Sequence, residues 1–104
     1  MNLKKILVGI DGIKAKGEID REVTSIENDS RKVKEGSMFF AIKGFTTDGT
    51  TFIPKAIENG AKVILVEEGS CDLKSLNIPE DVTLLVVPDA RYAMAIGACN
   101  YYDN

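Results

Sequence analysis

The sequence has no histidine and no tryptophan, and its 104 residues include only two cysteines, Cys71 and Cys99. Without histidine, the chain cannot build a His-containing zinc site, a Ser-His-Asp triad or a Cys-His dyad from its own residues. The cysteines lack C-x-x-C spacing, so we interpret Cys99 as a small buried hydrophobe and Cys71 as a loop thiol, with no disulfide between them in a cytoplasmic chain. We therefore assign no catalytic residue and no metal ligand to this chain.

A strong net charge and long apolar runs are also missing. The formal net charge is −3, from 13 basic and 16 acidic residues, which argues against a dedicated nucleic-acid-binding module. No apolar run approaches the roughly 20 residues of a membrane span, and residues 6–10 are too short for the apolar core of a signal peptide. With 44% hydrophobic residues, the chain is expected to form one cytoplasmic domain that binds neither nucleic acid nor a membrane.

Three compact apolar runs predict buried strands. They cover residues 37–42, 62–66 and 82–87, and their continuous aliphatic character is typical of strands covered on both faces. Residues 14–28 are polar with a loose alternation of apolar side chains, which we interpret as one or two short edge strands. The polar stretch 68–81 is expected to be a loop.

Apolar residues at helical spacing predict three helices. The first covers residues 3–10, the second ends at Gly60, and the third covers the C-terminal segment. The predicted N-caps are Asn2, then Thr50 or Thr51 with Pro54 in the first turn, then Asp89. The predicted buried stripe of the last helix consists of Tyr92, Ile96, Cys99 and Tyr102.

The order of these elements favours an α/β fold. We expect a single three-layer-like domain whose mixed, mostly parallel sheet has four to five strands, with helices packed on it and a right-handed crossover between residues 37 and 66. Because the last predicted helix has no glycine cap after it, we expect the chain to be a domain excised from a longer protein.

Two loops are expected to meet near one edge of this sheet, at residues 28–36 and 44–51. The second nearly matches the phosphate-binding motif G-x-x-x-x-G-K-[ST], but Thr50 replaces the lysine and Asp48 adds a carboxylate. We therefore reject a triphosphatase site. A glycine-flanked loop that enters a helix still offers backbone N–H groups to a diphosphate, with Thr46, Thr47, Thr50 and Thr51 as hydroxyl donors.

On spacing alone, structural roles explain the same residues better than a ligand site does. Residues 31–43 hold four basic residues against one acidic residue, and such a cluster is usually a solvated face. Phe45 could belong to the core and Thr50 could be only a helix cap. Asp29 could close an Asx-turn that Arg31 stabilises, whereas the functional interpretation gives Ser30 to a ligand oxygen. The residues alone leave both interpretations open.

Three segments in register resemble the N-terminal domain of the Mur ligases. They are D-S-R-K-V-K-E-G-S-M-F-F-A-I-K-G at 29–44, T-D-G-T-T-F-I at 47–53 and A-I-E-N-G-A at 56–61. With looser similarity on either side, the resemblance covers nearly the whole chain. Within the family it is strongest to the members that add the third amino acid of the peptidoglycan stem peptide, either diaminopimelate or L-lysine. Many relatives have histidine where this chain has Thr50.

The resemblance implies that residues 1–104 form a domain that binds the uridine diphosphate end of UDP-N-acetylmuramoyl-L-alanyl-D-glutamate. A central domain of such a ligase binds Mg²⁺ and ATP, and a C-terminal domain binds the incoming amino acid. The parent is then a cytoplasmic ATP-dependent carboxylate-amine ligase of cell wall biosynthesis. The 104-residue chain needs no cofactor of its own and is expected to be inactive alone.

Position by position, the resemblance implies a set of substrate contacts. Ser30 matches a serine that contacts the UDP-muramoyl ligand, and Asn28 matches a neighbouring contact. Phe45, Thr46 and Thr47 match the loop that lines the uridine diphosphate pocket, while Arg31 matches either a phosphate partner or a scaffold residue. The alternatives are the same domain of the ligase that adds D-Ala-D-Ala, and a non-catalytic α/β interaction or regulatory domain.

Overall fold

A mixed five-stranded sheet organises the computed structural model, which describes residues 1–43 and 48–102. Over these residues the strand order is β1-β5-β4-β3-β2; β2 to β5 are parallel, and β1 is antiparallel to β5. The strands are β1 (Lys14–Lys16), β2 (Ile26–Glu27), β3 (Met38–Ala41), β4 (Val63–Glu67) and β5 (Thr83–Val87). The helices are α1 (Leu3–Ile6), α2 (Ile53–Glu58) and α3 (Ala90–Tyr102). The predicted α/β class and the mostly parallel sheet are confirmed.

Apolar side chains cover both faces of the sheet and make the fold three-layered. Phe40 and Leu65 belong to the core that α1 and α3 cover. Their neighbours Phe39 and Ile64 point to the opposite face and pack in the core that α2 covers. Because alternate residues of β3 and β4 feed two cores, these strands are apolar along their whole length, as the sequence predicted. The two short edge strands predicted within 14–28 are β1 and β2, which lie at opposite edges of the sheet.

The crossover from β3 to β4 passes through α2, whose end is a glycine turn. Gly60 has a φ of +115°, its N–H donates to the carbonyl of Ile57, and the N–H of Ala61 donates to the carbonyl of Ala56. This pair of bonds is the Schellman pattern of a left-handed helix stop, as predicted. Pro54 lies in the first turn of α2, also as predicted.

The first helix is shorter than predicted. Asn2 caps it by accepting a hydrogen bond from the N–H of Lys4, but α1 ends at Ile6 rather than near residue 10. Gly9 and Gly12 both adopt positive φ angles, so the chain turns out of the helix there. Ile10 is nevertheless buried in the core.

The predicted buried stripe of α3 is wrong at three of its four positions, whereas Ile96 is partly buried and packs against the core. Tyr92 and Tyr102 are 60% and 68% exposed, and Cys99 is exposed as well. The buried residues of this helix are small ones, namely Ala90, Ala93 and Gly97. A Cβ on Gly97 would lie 3.4 Å from the side chains of Ile6 and Phe40, so small side chains let α3 pack closely on α1 and the sheet. Asp89 accepts a hydrogen bond from the N–H of Tyr92, as expected of the predicted cap.

Two further features complete the fold. The predicted polar loop at 68–81 contains one short 3-10 turn, Leu73–Ser75, and the two cysteines are not bonded to each other. Within the described ranges, no helix has the length and apolarity needed to cross a bilayer.

Candidate functional site

The loops that follow β2 and β3 meet at the carboxyl ends of these two parallel strands, the edge at which open α/β sheets bind ligands. The first loop forms a 3-10 turn at Ser30–Lys32, here called the Ser30 turn. The second leads into a 3-10 turn at Gly49–Phe52, here called the Gly49 turn. Between them lies a cavity of about 540 Å³. It is lined by Asn28, Asp29, Ser30, Arg31, Ile42, Gly49 and Phe52.

The cavity brings together three of the six sequence-predicted contacts, Asn28, Ser30 and Arg31. The other three, Phe45, Thr46 and Thr47, lie outside the described residues. The sequence did not single out Ile42, Gly49 and Phe52 as parts of a binding wall. Phe52 is 41% exposed, and an exposed aromatic side chain beside a cavity is a signal that only the fold reveals.

The hydroxyl of Ser30 is the unusual polar group in this cavity. The residue is only 6% exposed, yet its Oγ makes no hydrogen bond with any described residue. Every other serine or threonine hydroxyl in the described part of the chain has a hydrogen-bond partner. No side-chain polar atom of the described residues is both buried and unpaired, so the Ser30 Oγ reaches solvent. The hydroxyl is therefore available to a ligand in the cavity.

Asp29 and Arg31 lock the Ser30 turn. The carboxylate of Asp29 accepts the backbone N–H of Arg31 at 3.0 Å. It also accepts Nε and Nη2 of the same residue at 3.0 Å and 2.8 Å. The guanidinium hydrogen bonds and the backbone N–H lower the pKa of Asp29 from 3.8 to about 2, and the pKa of Arg31 is raised in turn. The guanidinium of Arg31 therefore stabilises the turn, although the Arg31 side chain remains 87% exposed.

This ion pair should give the Ser30 turn a characteristic acid dependence. Because the pKa of Asp29 is lower in the folded chain than its ordinary value of 3.8, its stabilising effect is present above about pH 4 and is lost as the pH falls towards 2. A carboxyl-carbon NMR titration should place the Asp29 midpoint near 2. In Arg31→Gln the midpoint should return towards 3.8. A wild-type midpoint at or above 3.8 would show that the pair does not form.

The Gly49 turn is capped by Asp48, not by a threonine. Asp48 Oδ1 accepts the backbone N–H of Thr50 at 3.0 Å and its hydroxyl at 2.6 Å, while the Asp48 carbonyl accepts the hydroxyl of Thr51 at 2.8 Å. The predictions that Thr50 or Thr51 is the N-cap and that both offer hydroxyl protons to a ligand are therefore wrong. The Thr50 hydroxyl and N–H lower the pKa of Asp48, which keeps a negative charge beside Thr50, the residue that stands in place of the motif's lysine.

Backbone contacts close the second loop at its base. The N–H of Gly49 donates to the carbonyl of Ile42 at 2.9 Å, and a bridge joins Lys43 to Asp48. A Cβ on Gly49 would lie 2.7 Å from both the nitrogen and the oxygen of Ile42, so only glycine fits. From α3, Arg91 Nη2 donates to the carbonyl of Lys43 at 3.0 Å. The base of this loop is thus held by the sheet and by α3.

The basic cluster predicted at 31–43 surrounds the first loop and the start of the second. Lys32, Lys34 and Lys43 are exposed, and none of them forms an ion pair with a described carboxylate. Unpaired lysines in these two loops favour an anionic ligand through long-range attraction. Within the described ranges, no cluster of three acidic or cysteine side chains could hold a metal ion.

A second cavity of about 480 Å³ lies at the other side of the sheet, between β1, β5 and the 69–78 segment. Its floor is apolar, with Leu84 and Val86 among the lining residues, and Lys14 at its rim pairs with Glu68. It contains none of the sequence-predicted contacts. The cavity beside Ser30 is therefore the better candidate, because it combines an unpaired hydroxyl, an amide side chain and neighbouring positive charge.

The comparisons with known proteins agree on one family. A family profile described as "Mur ligase family, catalytic domain" matches residues 22–102. The chain is 46% identical over 104 residues to the UDP-N-acetylmuramoyl-L-alanyl-D-glutamate--2,6-diaminopimelate ligase of Clostridium botulinum. It is 40% identical over the same length to the ligase of that name from Clostridium tetani. Each match covers 100% of this chain and 21% of the relative.

Solved structures give the same result. A MurF structure from Acinetobacter baumannii superposes with a TM-score of 0.65 at 26% identity, covering 95% of this chain and 20% of that one. The MurF ligase from Thermotoga maritima in complex with ADP has a TM-score of 0.57 at 31% identity, covering 71% of this chain and 16% of that one. The chain belongs to the Mur ligase family, as the sequence motifs indicated, and it spans about a fifth of the length of the curated relatives it matches.

Proposed function

We propose that this chain is the domain that anchors the uridine diphosphate end of UDP-N-acetylmuramoyl-L-alanyl-D-glutamate in a ligase that adds 2,6-diaminopimelate. The observation that carries the proposal is the hydroxyl of Ser30, which has no partner among the described residues and belongs to a residue that lines the 540 Å³ cavity. The names of the relatives at 40% and 46% identity support the choice of substrate and of added amino acid.

The proposed contacts divide the ligand between the two loops. Ser30 donates its hydroxyl proton to a ligand oxygen, and the Asn28 side chain offers both an amide donor and a carbonyl acceptor. Phe45, Thr46 and Thr47 are proposed as further contacts from the resemblance alone. Arg31 acts first as the partner of Asp29, and its remaining N–H groups are available to a phosphate oxygen.

In the parent ligase, this anchoring contributes to catalysis through position. Holding the distant nucleotide fixes the carboxylate of the peptide near the reacting groups, which lowers the entropic part of the barrier. The second loop does not fit ATP, because it lacks the lysine of a phosphate-binding loop and Asp48 carries a negative charge there. We therefore assign ATP and Mg²⁺ to other domains of a cytoplasmic parent, and we expect this chain alone to form no amide bond.

The alternative is the corresponding domain of the ligase that adds D-alanyl-D-alanine. Its support comes from solved structures, because one neighbour from Acinetobacter baumannii is named a D-alanyl-D-alanyl ligase and the MurF structures have the same fold. Their identities of 26% and 31% are lower than the 40% and 46% of the diaminopimelate ligases. The first assignment is therefore the better supported.

Titration with UDP tests the anchoring role directly. Amide shifts in the chain should be largest at Asn28 to Arg31, and Ser30→Ala should weaken UDP binding about 5- to 10-fold, the effect of losing one hydrogen bond to the ligand. Ser75→Ala is the matched control, because Ser75 is an exposed serine in the 68–81 loop whose hydroxyl donates to the Asp72 carbonyl. If millimolar UDP shifts no amide at the Ser30 turn, the chain is an interaction or regulatory domain instead.

A further inference from the structure

A side chain outside the cavity holds the Ser30 turn from behind. Asn59 Nδ2 donates to the backbone carbonyl of Ser30 at 2.9 Å, across 29 residues of sequence. The same carbonyl accepts the N–H of Val33 at 3.3 Å, one of the two backbone bonds of the 3-10 turn; the other joins the N–H of Lys32 to the carbonyl of Asp29 at 3.0 Å. Asn59 is half-buried, so this amide is partly shielded from competing water. It is the one side chain from another element of the described structure that donates to the Ser30 turn.

The end of α2 is itself rigid, which gives Asn59 a fixed position. Asn59 is the C-cap residue of α2, with φ and ψ of −80° and −3°, and Gly60 follows it in the left-handed stop. The N–H of Gly36 donates to the Gly60 carbonyl at 2.9 Å, and the space of a Gly60 Cβ is filled by the backbone of Glu35. The helix end and the loop 30–36 are therefore packed backbone to backbone, and Asn59 reaches from one to the other.

We propose that Asn59 is a positioning residue for ligand binding: its amide fixes the Ser30 carbonyl and thereby orients the Ser30 hydroxyl into the cavity. The inference rests on the proposed function, because it concerns how the same site is prepared. Asp29 and Arg31 restrain the turn only from within, two residues apart. Without Asn59, the turn has to be ordered when the ligand binds, and that ordering weakens affinity.

A double-mutant cycle separates this role from a general effect on stability. Asn59→Ala should weaken UDP binding about 3- to 10-fold, comparable to one net hydrogen bond. In a Ser30→Ala background the same substitution should cost little more, because Asn59 acts through Ser30. Amide hydrogen exchange at Val33 in the unliganded chain should also become faster. Asn59→Asp keeps the side-chain volume but removes the N–H donor, so it should weaken UDP binding as Asn59→Ala does. It provides the test if Asn59→Ala folds poorly. Asn77→Ala, at an exposed asparagine, is the control.

The outcomes distinguish the two proposals. If the wild-type chain binds no UDP, the proposed function fails and this inference fails with it. If the wild type binds UDP and Asn59→Ala binds equally tightly, the inference alone is overturned. Fully additive losses in the double variant would also overturn it, since they would mean that Asn59 acts on binding independently of Ser30.

Discussion

Replacing Gly60 with alanine should lower the free energy of unfolding by about 3 to 4 kcal/mol. Two separate costs add at this position. The φ of +115° is a conformation in which an L side chain costs about 1 to 3 kcal/mol. The new Cβ would also lie 2.7 Å and 2.8 Å from the Cα and nitrogen of Glu35, and relieving that overlap by moving backbone costs about 1 to 3 kcal/mol more. Urea unfolding followed by far-ultraviolet circular dichroism measures the change.

Gly69→Ala is the matched control for this prediction. Gly69 has a similar positive φ of +80°, but a Cβ built on it meets nothing within 4 Å. Its substitution therefore carries only the conformational cost, about 1 kcal/mol at the low end of the range for such strain. Equal destabilisation in the two variants would show that the packing of Gly60 against Glu35 contributes nothing.

The central strands were predictable because their apolar pattern is dictated by burial on two faces. The runs at 37–42 and 82–87 contain β3 and β5, and the run at 62–66 covers all of β4 except its last residue. Because both faces of these strands are buried, the prediction did not depend on which face each side chain points to. The last helix shows the opposite case. Its large apolar side chains at helical spacing suggested a buried face, whereas close packing on α1 and the sheet buries alanine and glycine instead. The spacing of apolar residues along a helix does not indicate how closely the neighbouring element packs against it.

The candidate site was predictable to a similar extent. The sequence predicted that the loops 28–36 and 44–51 meet near one edge of the sheet. They do so because β2 and β3 are parallel and each loop begins at the carboxyl end of its strand, with the cavity between the two turns. The choice between Asp48 and a threonine as the cap depends on loop geometry that spacing does not reveal. The unpaired state of the Ser30 hydroxyl, and the reach of Asn59 across 29 residues, exist only once the chain has folded.

Substituting alanine for Gly49 should damage both the fold and the binding site. Gly49 needs no positive φ, so the effect is one of space: a Cβ would lie 2.7 Å from the nitrogen and oxygen of Ile42. Relieving this overlap moves the base of the second loop away from β3 and costs about 2 to 3 kcal/mol. The displaced backbone is also a wall of the cavity, so UDP binding should weaken more than it does in Ser30→Ala.

Gly97→Ala supplies the comparison, because it adds the same methyl group at another buried glycine. There the Cβ would lie 3.4 Å from side-chain atoms of Ile6 and Phe40, at the near limit of ordinary van der Waals contact. Alanine is also favoured over glycine within a helix by about 1 kcal/mol. We expect this variant to stay within about 1 kcal/mol of the wild type and to bind UDP equally well. The affinities for UDP are compared under conditions in which each variant gives the amide spectrum of a folded chain. A loss of affinity in Gly49→Ala then reflects a change in the binding site and not unfolding. Wild-type stability and affinity in Gly49→Ala would mean that the second loop is not held against Ile42, and that the cavity has a different wall.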